Sequence, residues 1–156
     1  MLCFINHFNI NNIIFDGNIV IDRSITFDNC ANLYFTANTR IDLLNGATLT
    51  FTNCHLQSLC DFMWKGIFVS GSNQSVTLHD CIVEDMSEGI TSKNGGYIRI
   101  EYNEFIDNYR GIFIYAAPSN FDAANGCIIY SNRFTSSANS LKMPLMVNLK
   151  AKLVLK

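Results

Sequence analysis

The chain has 156 residues, which is enough for one domain with a sizeable core, and a second domain is not expected. Its formal net charge of -2, with 15% of residues charged, provides no basic field for phosphate backbones or anionic membranes, so a nucleic-acid partner is not predicted. The longest dense apolar stretch, residues 112–117, is far shorter than the roughly 18 residues of a membrane-spanning helix, so no membrane span is expected.

Short runs of alternating apolar and polar residues follow one another along the chain and predict β-strands rather than helices. Asn, Asp, Gly and Ser separate the runs, and the whole chain contains only two prolines. Such runs include, in chain order, residues 19–21, 48–51, 76–78 and 97–100, with a fainter one at 25–27. The sequence therefore predicts an all-β protein built from many short strands.

These runs belong to a repeat in which two apolar residues are followed by Cys or Asn and then by a further apolar residue. Leu49-x-Phe51-x-x-Cys54-x-Leu56 is one complete copy. The Cys or Asn positions of successive copies are Cys30, Cys54, Cys81, Asn103 and Asn132. A Gly-Ile pair begins a further strand in three of the copies, at Gly66, Gly89 and Gly111.

A period of about 22 to 24 residues suits one turn of a parallel β-helix, in which every coil adds its apolar residues to a continuous column. We predict a right-handed parallel β-helix of about five to six coils over residues 1–137, with coils about 4.8 Å apart. Residues 116–126 lengthen one interval of the repeat and are predicted to bulge as a loop. Residues 138–156 lose the repeat and are expected to form a separate segment, either a cap or the artefactual end of a truncated reading frame.

The Cys or Asn positions are expected to occupy one corner of every coil and to form a structural ladder. Asn tolerates left-handed backbone there and can hydrogen-bond to the amide above, while Cys fills the same small corner as a compact apolar group. A disulfide between ladder neighbours, or between Cys54 and Cys60, is left open by the sequence alone. The cysteines do not form paired CxxC units, so no metal site and no cofactor are predicted.

Residues 60–71, which contain Met63-Trp64-Lys65-Gly66-Ile67, resemble a family of bacterial secreted and surface proteins. Those proteins carry right-handed parallel β-helix, pectin-lyase-like domains with a Met-Trp-Lys-Gly-Ile type signature, and the likeness extends over about residues 10 to 136. The resemblance implies an extracellular or cell-surface location within a longer parent chain, although the first residues do not look like an export signal. It also implies a non-catalytic structural or adhesive role, with a polysaccharide or surface glycan as the partner.

Polysaccharide lyases and glycoside hydrolases share this architecture, so an enzyme is the alternative function. Such enzymes need clustered or paired carboxylates. Asp85 and Asp107 align in the repeat ahead of their Gly-Ile pairs, with Arg110 nearby, and these three are the candidate catalytic residues. The competing interpretation is that isolated acids at turns cap backbone amides.

Trp64, Tyr109 and Tyr115 are the candidate ligand-binding residues, because aromatic rings on a solvent-facing groove can stack on sugars. The competing interpretation for Trp64 is that its indole covers the edge of the core beside Met63.

Overall fold

The computed structural model describes residues 7–8, 11–115, 127–137 and 142–144, and those ranges contain strands and no helix. The predicted loop at 116–126 and most of the segment 138–156 lie outside the described residues. The strands are β1 (His7–Phe8), β2 (Asn12–Phe15), β3 (Asn18–Ile21), β4 (Ile25–Asp28), β5 (Asn32–Phe35), β6 (Arg40–Leu43), β7 (Thr48–Thr52), β8 (His55–Ser58), β9 (Phe62–Ser70), β10 (Ser75–His79), β11 (Ile82–Glu84), β12 (Met86–Lys93), β13 (Tyr97–Glu101), β14 (Glu104–Ile106), β15 (Ile112–Ile114), β16 (Ile128–Tyr130), β17 (Arg133–Thr135) and β18 (Met143–Pro144).

The strands form three parallel sheets, and the chain visits the sheets in turn. Sheet A has the order β1-β4-β7-β10-β13-β16, sheet B the order β2-β5-β8-β11-β14-β17, and sheet C the order β3-β6-β9-β12-β15. Within these three sheets, each strand therefore pairs with the strand three places further along the chain, which is the connectivity of a β-solenoid and confirms the predicted fold class. Four coils of the described chain, β4 to β15, have three strands of at least three residues each, slightly fewer than expected.

The register of the sheets places equivalent apolar residues directly over one another. In sheet A, Leu49 pairs with Val76, which pairs with Ile98. In sheet C, Ile67 pairs with Ile90. All five side chains are fully buried, because alternation along a strand sends every second residue into the column that the three sheets enclose.

A column of aromatic rings fills the corner between sheets B and C. Phe15 stacks on Phe35 with ring centroids 5.0 Å apart, and Phe35 stacks on Trp64 at 4.1 Å. The indole Nε1 of Trp64 donates a hydrogen bond to the Glu84 carbonyl oxygen at 2.8 Å, so its polar atom is satisfied inside the core.

The first two of the repeated glycines are required by the close approach of the coils. Gly66 and Gly89 pair in register and have φ of +125° and +74°, which side chains rarely adopt. A Cβ on Gly66 would overlap the Gly89 carbonyl oxygen, and a Cβ on Gly89 would lie 2.6 Å from the Gly111 carbonyl oxygen. Sheet C can therefore stack at this corner only with glycine in both coils.

A piece of the segment predicted to lack the repeat lies against the solenoid. Met143 and Pro144, the two residues of β18, pair in parallel with Phe62 and Met63 at the start of β9. Within the described ranges, no helix is long and apolar enough to cross a membrane.

Candidate functional site

The five ladder positions lie one above another at the corner between sheets A and B, and we call them the corner column. The backbone bonds show the stacking: His55 N–H donates to the Cys30 carbonyl at 3.2 Å, and Ile82 N–H to that of Cys54 at 3.0 Å. The same bond recurs at the next two levels, on the carbonyls of Cys81 and Asn103. The residues before each column position all have left-handed backbone, with φ between 50° and 59°; they are Asn29, Asn53, Asp80, Tyr102 and Ser131.

The amides of the column hold consecutive coils together by side-chain hydrogen bonds. Asn103 Nδ2 donates to the carbonyls of Leu78, one coil earlier, at 3.1 Å and of Glu101 at 2.9 Å. Its Oδ1 accepts from the backbone N–H of Cys81 at 2.8 Å. Asn132 repeats the pattern one coil later, so each amide satisfies backbone groups that the turn leaves without strand partners.

The three thiols of the column make the equivalent contacts with sulfur. Cys54 Sγ lies 3.2 Å from the Thr52 carbonyl and 3.5 Å from the Phe27 carbonyl, to either of which its S–H donates. Cys30, Cys54 and Cys81 are buried, and among the described residues no disulfide joins ladder neighbours or links Cys54 to Cys60. Interaction with the Cys54 side chain lowers the pKa of Cys81, whereas interaction with the Cys81 side chain, together with burial, raises the pKa of Cys54.

Two shallow pockets of about 390 Å³ each lie along the outer side of the corner column. One is lined by Cys30 and Cys54 and the other by Cys81, and both are bordered by Asp80 and Ile82. These column residues therefore lie beneath both pockets and are themselves almost fully buried. An exposed carboxylate, that of Asp80, lies where the two pockets meet.

A separate pocket of about 220 Å³ lies on the outer face of sheet C, and we call it the sheet C pocket. It combines aromatic rings with cationic groups: the guanidinium of Arg40 lies 4.0 Å from the centre of the Phe68 ring, and Lys93 Nζ lies 5.5 Å from that of Tyr115. Arg40 also pairs with Asp42, through an Nε to Oδ1 distance of 2.8 Å. These side chains point outward because their strand neighbours Ile41, Ile67 and Val69 point into the core.

The predicted sugar-stacking residues have different positions in the structure. Tyr115 lines the sheet C pocket, and Tyr109 is 62% exposed on the surface. Trp64 has an accessibility of 0%, so it has no face to offer a sugar, and its predicted stacking role is corrected to a core role. This position agrees with the competing interpretation from the sequence, in which the Trp64 indole packs beside Met63, a residue that is also fully buried.

The candidate catalytic carboxylates do occupy equivalent corners of adjacent coils, since Asp85 N–H donates to the carbonyl of Ile106, the residue before Asp107. Both are buried and already engaged: Lys142 Nζ lies 2.8 Å from Asp85 Oδ2, and Ser137 N–H donates to Asp107 Oδ1 at 2.6 Å. Arg110 lies 5.3 Å from the centre of the Phe113 ring. In this conformation, Asp85 and Asp107 therefore hold separate chain segments together.

Sequence reasoning missed Arg40, Phe68 and Lys93 as components of a site. They lie on three strands that the coils bring side by side, and no local motif connects them. In the part of the chain that the structure describes, no group of three or more His, Cys, Asp or Glu residues could hold a metal ion.

A model of one protein family matches residues 4–143, and this family is described as periplasmic copper-binding protein (NosD). No curated protein and no solved structure matches the chain.

Proposed function

The chain belongs to the periplasmic copper-binding protein (NosD) family, and we propose that it acts as an exported, non-catalytic β-helix domain that binds acidic glycans at the sheet C pocket. The periplasmic description of the family is consistent with export. A cell-surface position, as the resemblance to bacterial surface proteins implies, is part of the proposal.

The sheet C pocket is the observation that carries the proposal. The apolar faces of sugar rings pack on aromatic side chains such as Phe68 and Tyr115. Arg40 and Lys93 add cationic groups beside those rings, which would favour a carboxylated or sulfated sugar over a neutral one. Strands β6, β9 and β12 of sheet C hold Arg40, Phe68 and Lys93 in place beside one another.

We expect Tyr115→Ala and Phe68→Ala each to weaken binding of an acidic oligosaccharide by roughly tenfold, because each removes one stacking surface. Isothermal titration calorimetry with oligogalacturonate, and with a neutral oligosaccharide of equal length, measures the effect. Tyr130→Ala is the control, since Tyr130 is also an exposed tyrosine but lies on sheet A, outside the pocket. Equal binding by all variants, or a preference for the neutral sugar, would contradict the proposal.

The alternative is a polysaccharide lyase or glycoside hydrolase, and the stacking of Asp85 and Asp107 on adjacent coils is the observation that favours it. The spacing of coils, about 4.8 Å, is close to the separation of paired acids in retaining glycosidases. The contacts of these carboxylates with Lys142 and Ser137 favour the structural role instead. Release of unsaturated or reducing ends from a polygalacturonate panel, abolished by Asp107→Ala, would establish the enzyme in place of the binding domain.

Copper binding is a second candidate function, because the description of the family names that metal. The donors of the corner column decide which form of copper fits. Thiolates select Cu(I), whereas Cu(II) prefers nitrogen and oxygen ligands in a square-planar group, of which the described residues have none. We therefore propose Cu(I) as the form that this chain binds, with the stacked thiols as the observation in its favour.

A further inference from the structure

We propose that the sheet C pocket has two unlike subsites, one for an acidic sugar and one for a neutral sugar, and so selects glycans in which the two alternate. This inference rests on the glycan binding proposed above and names the class of glycan. Phe68 forms one end of the pocket with Arg40, and Tyr115 forms the other end with Lys93. Each end combines a ring with a cation, but the two ends differ in net charge.

The two ends of the pocket are too far apart for one sugar ring to cover both. Phe68 pairs in register with Thr91 of the next coil, which pairs with Phe113 of the coil after it. Tyr115 lies two residues beyond Phe113, and its N–H donates to the Ser92 carbonyl at 2.9 Å. Strands are about 4.8 Å apart, so two coils separate these positions by about 10 Å. A ligand that contacts both ends is therefore a chain of sugars.

The cation at the Phe68 end is already paired with a carboxylate. Arg40 Nε lies 2.8 Å from Asp42 Oδ1, and a terminal nitrogen of the same guanidinium contacts that oxygen too. Asp42 pairs in register with Phe68, so the carboxylate lies beside the ring. The pair of Arg40 and Asp42 has no net charge, and a second carboxylate bound here would be repelled by Asp42.

This neutral pair is suited to sugar hydroxyls. Within the described part of the chain, Asp42 Oδ2 has no hydrogen-bond partner, so it is available to accept from a hydroxyl. The guanidinium of Arg40 has further N–H groups that can donate to a hydroxyl oxygen. The Phe68 end therefore offers a ring face, an acceptor and donors, which together fit a neutral sugar.

The Tyr115 end keeps an uncompensated positive charge. Lys93 Nζ lies 5.5 Å from the centre of the Tyr115 ring, and no carboxylate of the described residues pairs with it. Arg110 lies 5.3 Å from the centre of the Phe113 ring, whose centroid is 4.7 Å from that of Tyr115. A second cation thus lies one ring away. A carboxylate or sulfate bound at this end gains an ion pair beside aromatic surface.

The two ends together select a pattern of charge along the glycan. A chain with an acid on every sugar places one carboxylate against Asp42, whereas a neutral chain leaves Lys93 without an anion. A chain that alternates acidic and neutral sugars satisfies both ends at once.

The test is isothermal titration calorimetry of the whole chain with three tetrasaccharides. One comes from hyaluronan and alternates acidic and neutral sugars, one is oligogalacturonate, and one is neutral chitotetraose. We expect the alternating ligand to bind roughly fivefold more tightly than oligogalacturonate, because only the latter places a carboxylate against Asp42. Asp42→Asn is expected to remove this difference by strengthening the binding of oligogalacturonate. Asp22→Asn is the matched control, since Asp22 also pairs with an arginine but does not line the pocket.

Lys93→Met tests the acidic end, because it removes the charge and retains an unbranched apolar side chain. We expect it to weaken the binding of both acidic ligands by roughly tenfold and to leave chitotetraose unchanged. Lys65→Met is the control, since Lys65 is a lysine of β9 that does not line the pocket. An equal loss for all three ligands would overturn the assignment of the acid to this end. Far-UV circular dichroism checks that every variant is folded.

The outcomes separate the subsites from the glycan binding itself. Equal affinity for the two acidic ligands, in the unmodified chain and in Asp42→Asn alike, would overturn the unlike subsites and leave acidic-glycan binding intact. An unmodified chain that binds neither acidic ligand would overturn both proposals.

Discussion

At the scale of single residues, Cys and Asn make equivalent contacts with backbone carbonyls in the corner column, Cys through its thiol and Asn through its amide. Both lie within hydrogen-bond distance of a carbonyl two residues earlier and of a carbonyl of the preceding coil, as Cys54 Sγ does with those of Thr52 and Phe27. The thiol makes longer bonds than the amide of Asn103, and it brings less polar surface into the corner. The corner column therefore changes from thiols to amides without a change of backbone conformation.

Trp64 offers the sharpest stability test at this scale. We expect Trp64→Ala to lower the free energy of unfolding by about 3–5 kcal/mol, because it removes a fully buried ring that stacks on Phe35. Trp64→Phe retains the stacking and loses the hydrogen bond to Glu84, which costs about 1–2 kcal/mol. Urea denaturation followed by circular dichroism measures both. Tyr109→Ala is the control, and a loss in Trp64→Ala as small as its own would refute the core role.

At the scale of elements, sheet C depends on strands that approach each other more closely than side chains allow. β9 and β12 meet at Gly66 and Gly89, where the register shifts between Met86 and Gly89. The bulge turns the two strands around the corner, and the glycines let the backbones pass. The inward residues Ile67 and Ile90 then return to register directly after the glycines.

Gly89→Ala is expected to cost about 2–4 kcal/mol, the sum of left-handed backbone strain at φ +74° and of overlap with the Gly111 carbonyl oxygen. Gly17→Ala separates the two causes: Gly17 also has positive φ, at +75°, but a Cβ there meets no atom within 4 Å. We expect this control to lose only about 1–2 kcal/mol. Thermal unfolding of the two variants decides the question, and equal losses would show that overlap contributes nothing.

At the scale of the whole molecule, most contacts join a coil to its immediate neighbours, as in other solenoids. The contact of Lys142 with Asp85 and the pairing of β18 with β9 depart from this rule. They tie a segment that follows β17 in the chain to earlier coils. Asp107, which Ser137 holds, adds a third attachment near the same corner.

A double-mutant cycle of Asp85→Asn and Lys142→Met measures what this tie contributes. We expect a coupling free energy of about 1–2 kcal/mol, because Lys142→Met alone leaves a buried carboxylate without its cation. The cycle on Asp22 and Arg23, whose ion pair is exposed, is expected to give less than about 0.5 kcal/mol. Coupling at Asp85 no greater than at this exposed pair would mean that the segment is not held there in solution.

The fold could be predicted because a solenoid is local: each coil contacts the next, and so the period of the sequence already describes the register. The buried positions Leu49, Val76 and Ile98 recur at that period, as do Cys54 and Cys81 in the corner column. Packing inside the solenoid constrains these inward residues in every coil, and this constraint makes the pattern visible in the sequence.

The outward residues have no such constraint, and only the tertiary structure decided which of them meet. Arg40, Phe68 and Lys93 form the sheet C pocket with Tyr115 because four coils lie side by side, and no sequence motif connects these residues. Packing between distant segments likewise decided the burial of Trp64 and the ion pair between Lys142 and Asp85. The sequence by itself determined the stacked apolar core and the corner column, since both follow from residues that are buried at a regular period. The surface chemistry followed only from the stacked coils.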